Sequence, residues 1–443
     1  MSKKTFHIVS LGCSKNTVDS DSMAQLLTAS GYEPVADPRR AHVLIVNTCG
    51  FIGPAKEESL RVLAELAAEK KSGQMLVAAG CLTQRYGSEI ARQVPGLDGN
   101  LGTRRWMDIV DVVEGLNSDR RALQYKIPEA APVLTDGGVR RVSVQGASAY
   151  LKIADGCRRP CAFCAIPLIK GTAVSRPIAS ILDEARYLQE KGVREIVLVA
   201  QDTTDYGHDL GLKNGLACLL KELTAVAPQI DWIRLMYAYP GAVTDKLIEV
   251  MASCKQVVAY LDLPLQHAHP LTLRRMCRPS DIDRVRRTLA GMRRAIPDLA
   301  LRTTFIVGYP GETAEEFQTL LDFIGEVCFD RVGVFKFSFE QGTASESLGD
   351  PVPEEIKEER LQRLMEKQQG ISLERNRAFI GRRLDVLIEG EGQGISIGRS
   401  YRDAPEIDGL VLVKGEIPAG RMVPVRIDGA SAYDLSGVAN NGD

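Results

Sequence analysis

At 443 residues the chain is too long for one ordinary core, and about two to four domains are expected. It is 44% hydrophobic and 25% charged, the balance of a globular protein, and no run approaches the ~20 apolar residues that cross a bilayer. A net charge of −2 argues against a chain built mainly to hold nucleic acid, which would carry a basic excess. The opening MSKKTFHIVSLGC enters a strand-like run at once, without the apolar stretch and cleavage site of a signal peptide. A cytoplasmic location without a membrane partner is therefore expected. In that reducing compartment, clustered members of the ten cysteines point to metal binding or catalysis rather than to disulfides.

Residues 4–116 alternate short apolar runs with helical periodicity: FHIVSLGC, a helix near Val18–Ala29, HVLIVNTC, a helix near Lys56–Lys70, MLVAAGC and a helix near Glu89–Gln93. Such alternation predicts βαβ units and a Rossmann-like parallel sheet. Residues 117–145 lose the periodicity, contain Pro128, Pro132, Gly137 and Gly138, and read as a linker. From 146 to 373, strand candidates AYLKIADGC, EIVLVAQD, DWIRLMYAYP, VVAYLDLPLQ, LRTTFIVGYP and RVGVFKFSFE alternate with helices such as Ser180–Lys191 and Thr313–Val327. This predicts an open, partial (β/α)6 barrel, its edge covered by a charged helix near Glu354–Gln369. Residues 374–443 change to short strands, LDVLIEG, SIGRSY, GLVLV and VPVRIDG, expected to close a small antiparallel β-barrel.

The sharpest motif is Cys157-Arg-Arg-Pro-Cys161-Ala-Phe-Cys164, directly after the first barrel strand. Three thiolates can hold three irons of a 4Fe–4S cube and leave the fourth open to a small molecule. The competing accounts are a zinc knuckle or buried structural cysteines, but zinc asks for a fourth ligand and the next cysteine is Cys218. Cys13, Cys49 and Cys81 each close a strand-like run and lie 36 and 32 residues apart, near the ~30 of one βα unit. Parallel strands would bring all three thiols to one carboxyl edge, where such sheets bind ligands. Gly12, Asn47 and Gly80 beside them suit tight turns; the alternative is three buried cysteines. Cys218, Cys254, Cys277 and Cys328 stand singly and read as incidental or buried.

The CxxxCxxC spacing after a barrel strand resembles the radical S-adenosylmethionine superfamily. The resemblance implies S-adenosylmethionine at the open iron, with Phe163 near the adenine. It also implies contacts from Gln201, Asp202 and Thr203, and from the Phe305–Glu312 run that includes Gly308. Both cysteine trios together, with the C-terminal barrel, resemble the methylthiotransferases over nearly the whole chain. That family uses one S-adenosylmethionine as radical source, a second as methyl donor, and sulfur held on an auxiliary 4Fe–4S cluster. SLGCSKNTVDSD, YLKIADGCRRPCAFCAIP, PLQHAHP and GRSYRDAPEIDG resemble its protein-modifying branch, the RimO type. The implied reaction is methylthiolation of an aspartate β-carbon in ribosomal protein uS12, free or in the small ribosomal subunit. A reducing electron donor and a sulfur source are implied as partners. The sister branch modifies adenosine in transfer RNA. Lys170 stands where an Arg is expected, and Cys277 interrupts a basic run.

From Gly381 onward there are seven basic and ten acidic residues, a net charge of −3. RNA-gripping barrels are basic, so this one suits a basic protein better than transfer RNA, unless its surface is merely solvated. Asp262, Gln266 and His267, with His269 beyond them, would line a pocket for the substrate aspartate or else pack a turn. Arg176 would bind a cofactor or substrate carboxylate, or else make a surface salt bridge.

Overall fold

The structure, a computed structural model, describes residues 4–118, 124–126 and 138–439. The chain divides into two compact units. The first comprises residues 1–143, 150–176 and 338–346. In it β1 (Thr5–Ser10) leads through α1 (Ser14–Ala29), β2 (Glu33–Pro34), β3 (Val43–Thr48), α2 (Gly53–Glu69), β4 (Met75–Gly80), α3 (Cys81–Gln93), β5 (Gly99–Gly102) and α4 (Ile109–Ser118) to β6 (Gln124–Lys126). All six strands pair in parallel, in the order β2-β1-β3-β4-β5-β6.

Strands β3 and β4 are buried at every position, because alternate side chains feed two cores. Val43, Ile45 and Val77 pack with Met23, Leu27 and Val112 of α1 and α4 on one face. Leu44, Val46 and Leu76 pack with Leu63, Leu82 and Ile90 of α2 and α3 on the other. Helix α1 starts at Ser14, four residues before the expected Val18. The polar SKNT turn gives no apolar period, yet Cys13 holds extended N-cap geometry. Helix α3 likewise starts at Cys81 rather than near Glu89, and non-helical Tyr86 breaks its periodicity. Two short strands, β6 and β7 (Val142–Gln145), lie within the stretch expected as a linker; Pro128, Pro132 and Gly137 fall outside the described residues. The same unit carries the end of β8 (Ser148–Lys152), β9 (Ala154–Asp155), α5 (Ile166–Lys170) and β10 (Val174–Ser175), with β9 antiparallel to β10.

The second unit comprises residues 144–149, 177–337 and 347–443. Its sheet follows the order β7-β8-β11-β12-β13-β14-β15. The later strands are β11 (Glu195–Val199), β12 (Trp232–Leu235), β13 (Val257–Asp262), β14 (Ala300–Val307) and β15 (Arg331–Lys336). Helices α6 (Ile178–Glu190), α7 (Gly215–Val226), α8 (Asp245–Ser253), α9 (Pro270–Arg275), α10 (Ile282–Ala295) and α11 (Ala314–Val327) come between them. Ala147 O accepts the N–H groups of Arg194 and Glu195 at 2.8 and 3.2 Å, joining the chain before β8 to the start of β11. Pairs β11–β12 through β14–β15 are parallel, giving the open (β/α)6 arrangement. Helix α12 (Glu354–Arg377) packs on edge strand β15 and runs eight residues beyond the expected Gln369.

A closed five-stranded barrel follows: β16 (Arg383–Gly392), β17 (Ile395–Ser400), β18 (Val411–Lys414), β19 (Met422–Ala430) and β20 (Leu435–Ala439). It corrects the antiparallel expectation at one seam, because β18 and β20 run parallel. Strand β20, LSGVA, escaped the sequence reading because small residues give it little alternation. Val386, Ile388, Val411, Val413, Val425 and Ile427 fill the barrel. Buried ion pairs seat it on the preceding strands. Glu195 takes Arg234 at 2.7 Å and Arg399 at 2.6 Å, and Asp330 takes Arg402 at 3.0 Å.

Candidate functional site

Strands β1, β3 and β4 are neighbours, with Ser10 opposite Asn47, and Thr48 opposite Gly80. The chain leaves each strand at the same edge and delivers a cysteine there. Cys13 caps α1, Cys49 follows β3, and Cys81 opens α3. Asn16 and Asn47 lace the three ends together. Asn16 Nδ2 donates to Leu11 O at 2.9 Å and Thr48 O at 3.1 Å, and Asn47 Nδ2 donates to Asn16 O at 2.8 Å. Gly12 and Gly80 hold positive φ at +91° and +100°. A Cβ at Gly12 would stand 2.7 Å from Cys49 Cβ and 3.0 Å from its Sγ, so the thiol of one strand end lies against the turn of the next. Cys81 Sγ is 3.7 Å from Asn16 Oδ1. The parallel sheet thus brings the three predicted thiols to one edge.

As free thiols the three differ. Cys13 is exposed; burial by its neighbours would by itself raise its pKa, but Lys15 and the N–H groups of Asn16 and Lys15 outweigh that and lower it. Burial raises Cys49, and pushes buried Cys81 up to about 12. Among the described residues no three His, Cys, Asp or Glu side chains are closed up around a single-ion site. A cube asks for a wider set, one thiolate on each of three irons. The donor set fits such a group.

Cys157, Cys161 and Cys164 are half-buried and line an open cavity of about 450 Å3 with Leu168, Gly342 and Thr343. The loop is fixed by Cys157 N–H donating to Gly171 O at 3.0 Å and Cys164 N–H donating to Cys161 O at 3.1 Å. A cavity of this size suits a cluster with a small ligand, and its lining includes no fourth Cys or His. Phe163, within the loop, is half-buried. Arg176 is only 1% exposed and donates from Nη1 to Lys152 O at 2.8 Å. In the same unit Cys81 packs against Ala165 and Ile169, one and five residues beyond Cys164.

Between these segments lies a charge cluster that sequence reasoning missed. Asp19 accepts from Lys152 Nζ at 2.6 Å, Lys170 Nζ at 2.8 Å and Arg141 Nη2. Asp155 faces Lys152 at 2.7 Å, Lys170 at 3.4 Å and Arg141 at 3.4 Å. All five side chains are at most 3% exposed. Burial opposes charge throughout, yet the cations hold Asp19 and Asp155 below the usual carboxylate range. Burial pulls Lys152 down to about 8, against the pull of both aspartates. The only hint in the sequence was Lys170 itself, in the place of an expected Arg.

The remaining predicted residues belong to the second unit. Gln201, Asp202 and Thr203 follow β11, and Thr203 is tied to β12 by N–H to Tyr237 O at 3.1 Å and Oγ1 to Met236 O at 2.8 Å. Asp262 ends β13 but is committed to Arg302 at 3.1 Å and to the Tyr237 N–H at 3.1 Å. Gln266 and His267 stand beyond it. Gln201 Oε1, Gln266 Oε1 and His267 Nε2 are buried without a hydrogen-bond partner, as polar groups awaiting a ligand would be. His267 Nδ1 accepts the His269 N–H at 2.9 Å, and burial pushes its pKa down to about 3. A side chain at Gly308 would run into the stem of Lys357 at 2.4 Å, so that residue is approached by α12. One residue here escaped the sequence reading, and another closes the Phe305–Glu312 run without having been singled out. Tyr237 holds φ +60° at the end of β12, a strained conformation no motif announces. Glu312, buried with Arg360 at 2.9 Å, is pushed by burial up to about 7. Cys218 and Cys277 are exposed, and Cys254 and Cys328 half-buried.

Comparison with known proteins divides the chain in three. Residues 5–102 match the uncharacterized protein family UPF0004, residues 151–324 the radical SAM superfamily, and residues 380–439 the TRAM domain. A protein of Roseiflexus sp. (strain RS-1) named ribosomal protein uS12 methylthiotransferase RimO is 51% identical, over 98% of this chain and 96% of its own. One of the same name from Chloroflexus aurantiacus is 51% identical over 98% and 99%. Among solved structures, the radical S-adenosylmethionine methyltransferase TsrM from Kitasatospora setae, with cobalamin and a [4Fe-4S] cluster bound, superimposes with a TM-score of 0.56. It covers 90% of this chain and 81% of its own at 13% identity, which is a likeness of fold.

Proposed function

The chain belongs to the RimO family of radical S-adenosylmethionine methylthiotransferases, and from that membership we propose that it methylthiolates the β-carbon of an aspartate in ribosomal protein uS12. The observation that carries the reading is the pair of cysteine trios built into one compact unit. Cys157, Cys161 and Cys164 would hold one 4Fe–4S cluster and Cys13, Cys49 and Cys81 the other. When bound, these clusters and S-adenosylmethionine supply the electron, the hydrogen-abstracting radical, the sulfur and the methyl group.

The chain's own residues do the rest. Three thiols at each site leave one coordination place for something that is not protein. The cavity at the compact motif gives S-adenosylmethionine room, and Phe163 offers a ring within the same loop. Gln201, Asp202, Thr203, Gly308 and Arg176 are proposed as further contacts for it. Gln266 and His267 present buried polar atoms without a hydrogen-bond partner, suited to a polar substrate, and His267, whose Nε2 stands 3.9 Å from Glu312 Oε2, does so as a neutral imidazole. Asp262, held by Arg302, is the weakest of the proposed substrate contacts. The acidic barrel favours a basic ribosomal protein over transfer RNA. No described helix is long and apolar enough to cross a membrane; a cytoplasmic site, a reducing electron donor and a sulfur source complete the proposal.

The test is to incubate the anaerobically reconstituted enzyme with uS12 and, in parallel, with transfer RNA, and to weigh both products. A gain of one methylthio group on uS12 is expected. A gain on transfer RNA alone would overturn the reading.

A further inference from the structure

Residues 270–296, which hold α9 and α10, contain eight arginines, two aspartates and no lysine or glutamate, a net charge of +6 in a chain of net −2. Helix α10 sorts its share by period. Val285, Leu289 and Met292 are buried and mark its inner face. Arg284, Arg287 and Arg294, three and then seven residues apart, fall on the opposite face with Ala290 between them, and all four are exposed. The stripe is ~15 Å long at 1.5 Å per residue.

The acids that could answer it are committed elsewhere. Asp281 caps the helix by accepting the Arg284 N–H at 2.9 Å. Asp283 and Glu326 take Arg286 at 3.0 and 2.9 Å, Glu316 takes Arg275, and Asp298 takes Arg382 at 2.8 Å. The side chains of Arg284, Arg287 and Arg294 make no ion pair among the described residues. Like charges one turn apart repel, so the helix gains nothing from the row. Two features name the partner's chemistry. Each cation is an Arg, whose planar fork grips a phosphate through two N–H groups. The face also lacks an apolar anchor, since α10 exposes no large hydrophobic side chain, whereas protein interfaces centre on such anchors. A phosphate backbone needs none.

We propose that the outer face of α10 docks on the phosphate backbone of ribosomal RNA, so that the enzyme takes uS12 within the small ribosomal subunit. The proposal rests on the reading of uS12 as the substrate. The acidic barrel and the basic helix then divide the task, one suited to a basic protein and the other to the RNA that surrounds it.

The test uses the full chain, anaerobically reconstituted, with dithionite as reductant. It compares the parent with the Arg284→Gln, Arg287→Gln, Arg294→Gln triple variant on free uS12 and on isolated small subunits that carry unmodified uS12. The variant should lose about tenfold in kcat/KM on subunits, through KM, and match the parent on free uS12. The corresponding triple Lys variant, which keeps the charge, should recover most of the loss. Co-sedimentation with subunits gives a second readout: the slope of log affinity against log salt should be shallower by about two in the Gln variant. Equal rates and slopes on subunits overturn the proposal, as does an equal loss on free uS12, which would make the stripe a protein contact. A parent that modifies free uS12 alone also overturns it, and so does a loss confined to reactions in which an acidic electron-carrier protein replaces dithionite. If the parent modifies neither substrate, the uS12 reading falls, and the salt slope still decides whether the stripe holds RNA.

Discussion

Gly12 is where a single atom should tell most about the N-terminal site. An added methyl would meet Cys49 at 2.7 Å, on a backbone whose φ of +91° an L side chain resists. Gly12→Ala should therefore halve bound iron, from about eight to about four per chain, with little loss of fold; full iron content would mean that Cys49 is not a ligand. His267 carries a second prediction. In the unfolded chain its imidazole takes a proton near its ordinary 6.5; in the fold, burial delays this to about 3. The unfolded state thus binds more protons between those values, and stability is lost as pH falls through the window, by about 1.4 kcal/mol per pH unit. His267→Gln removes this dependence and leaves Glu312 in place. Thermal melts from about pH 6.5 to 4.5 should show the parent losing more than the variant. Parallel curves would mean that the ring is solvated.

At the scale of elements, the strand-end cysteines were legible because period, spacing and a terminal Cys repeat together in IVSLGC, LIVNTC and LVAAGC. The start of α1 was not, since its first turn is polar and its cap is a residue with another task. Nor was the Asp19 cluster, whose members lie up to 151 residues apart; each alone reads as a surface charge. Asp262 shows the opposite failure. It sits where a pocket residue should, but Arg302 joins it to Asp408 at 3.3 Å beside the barrel. The barrel's seat is testable through Arg399. Its guanidinium is 1% exposed and, with Arg234, overcomes burial to hold Glu195 down to about 2. Arg399→Leu leaves that carboxylate half-answered and should cost about 3 kcal/mol in a denaturant titration. A change near zero would mean that Arg234 suffices.

For the molecule as a whole, parallel topology does the decisive work. It turns three cysteines spread over residues 13–81 into one edge, and sets a second trio within the same compact unit. Neither set contains a fourth thiol, and that shortfall gives the proposed chemistry its two open metal positions. The most direct measurement of this claim is iron and sulfide content after anaerobic reconstitution. The parent should hold about eight irons, and either trio changed to Ala should leave about four. The Cys13, Cys49, Cys81 variant should still cleave S-adenosylmethionine, and the Cys157, Cys161, Cys164 variant should not. About four irons in the parent, or a full complement surviving the loss of either trio, would contradict the account.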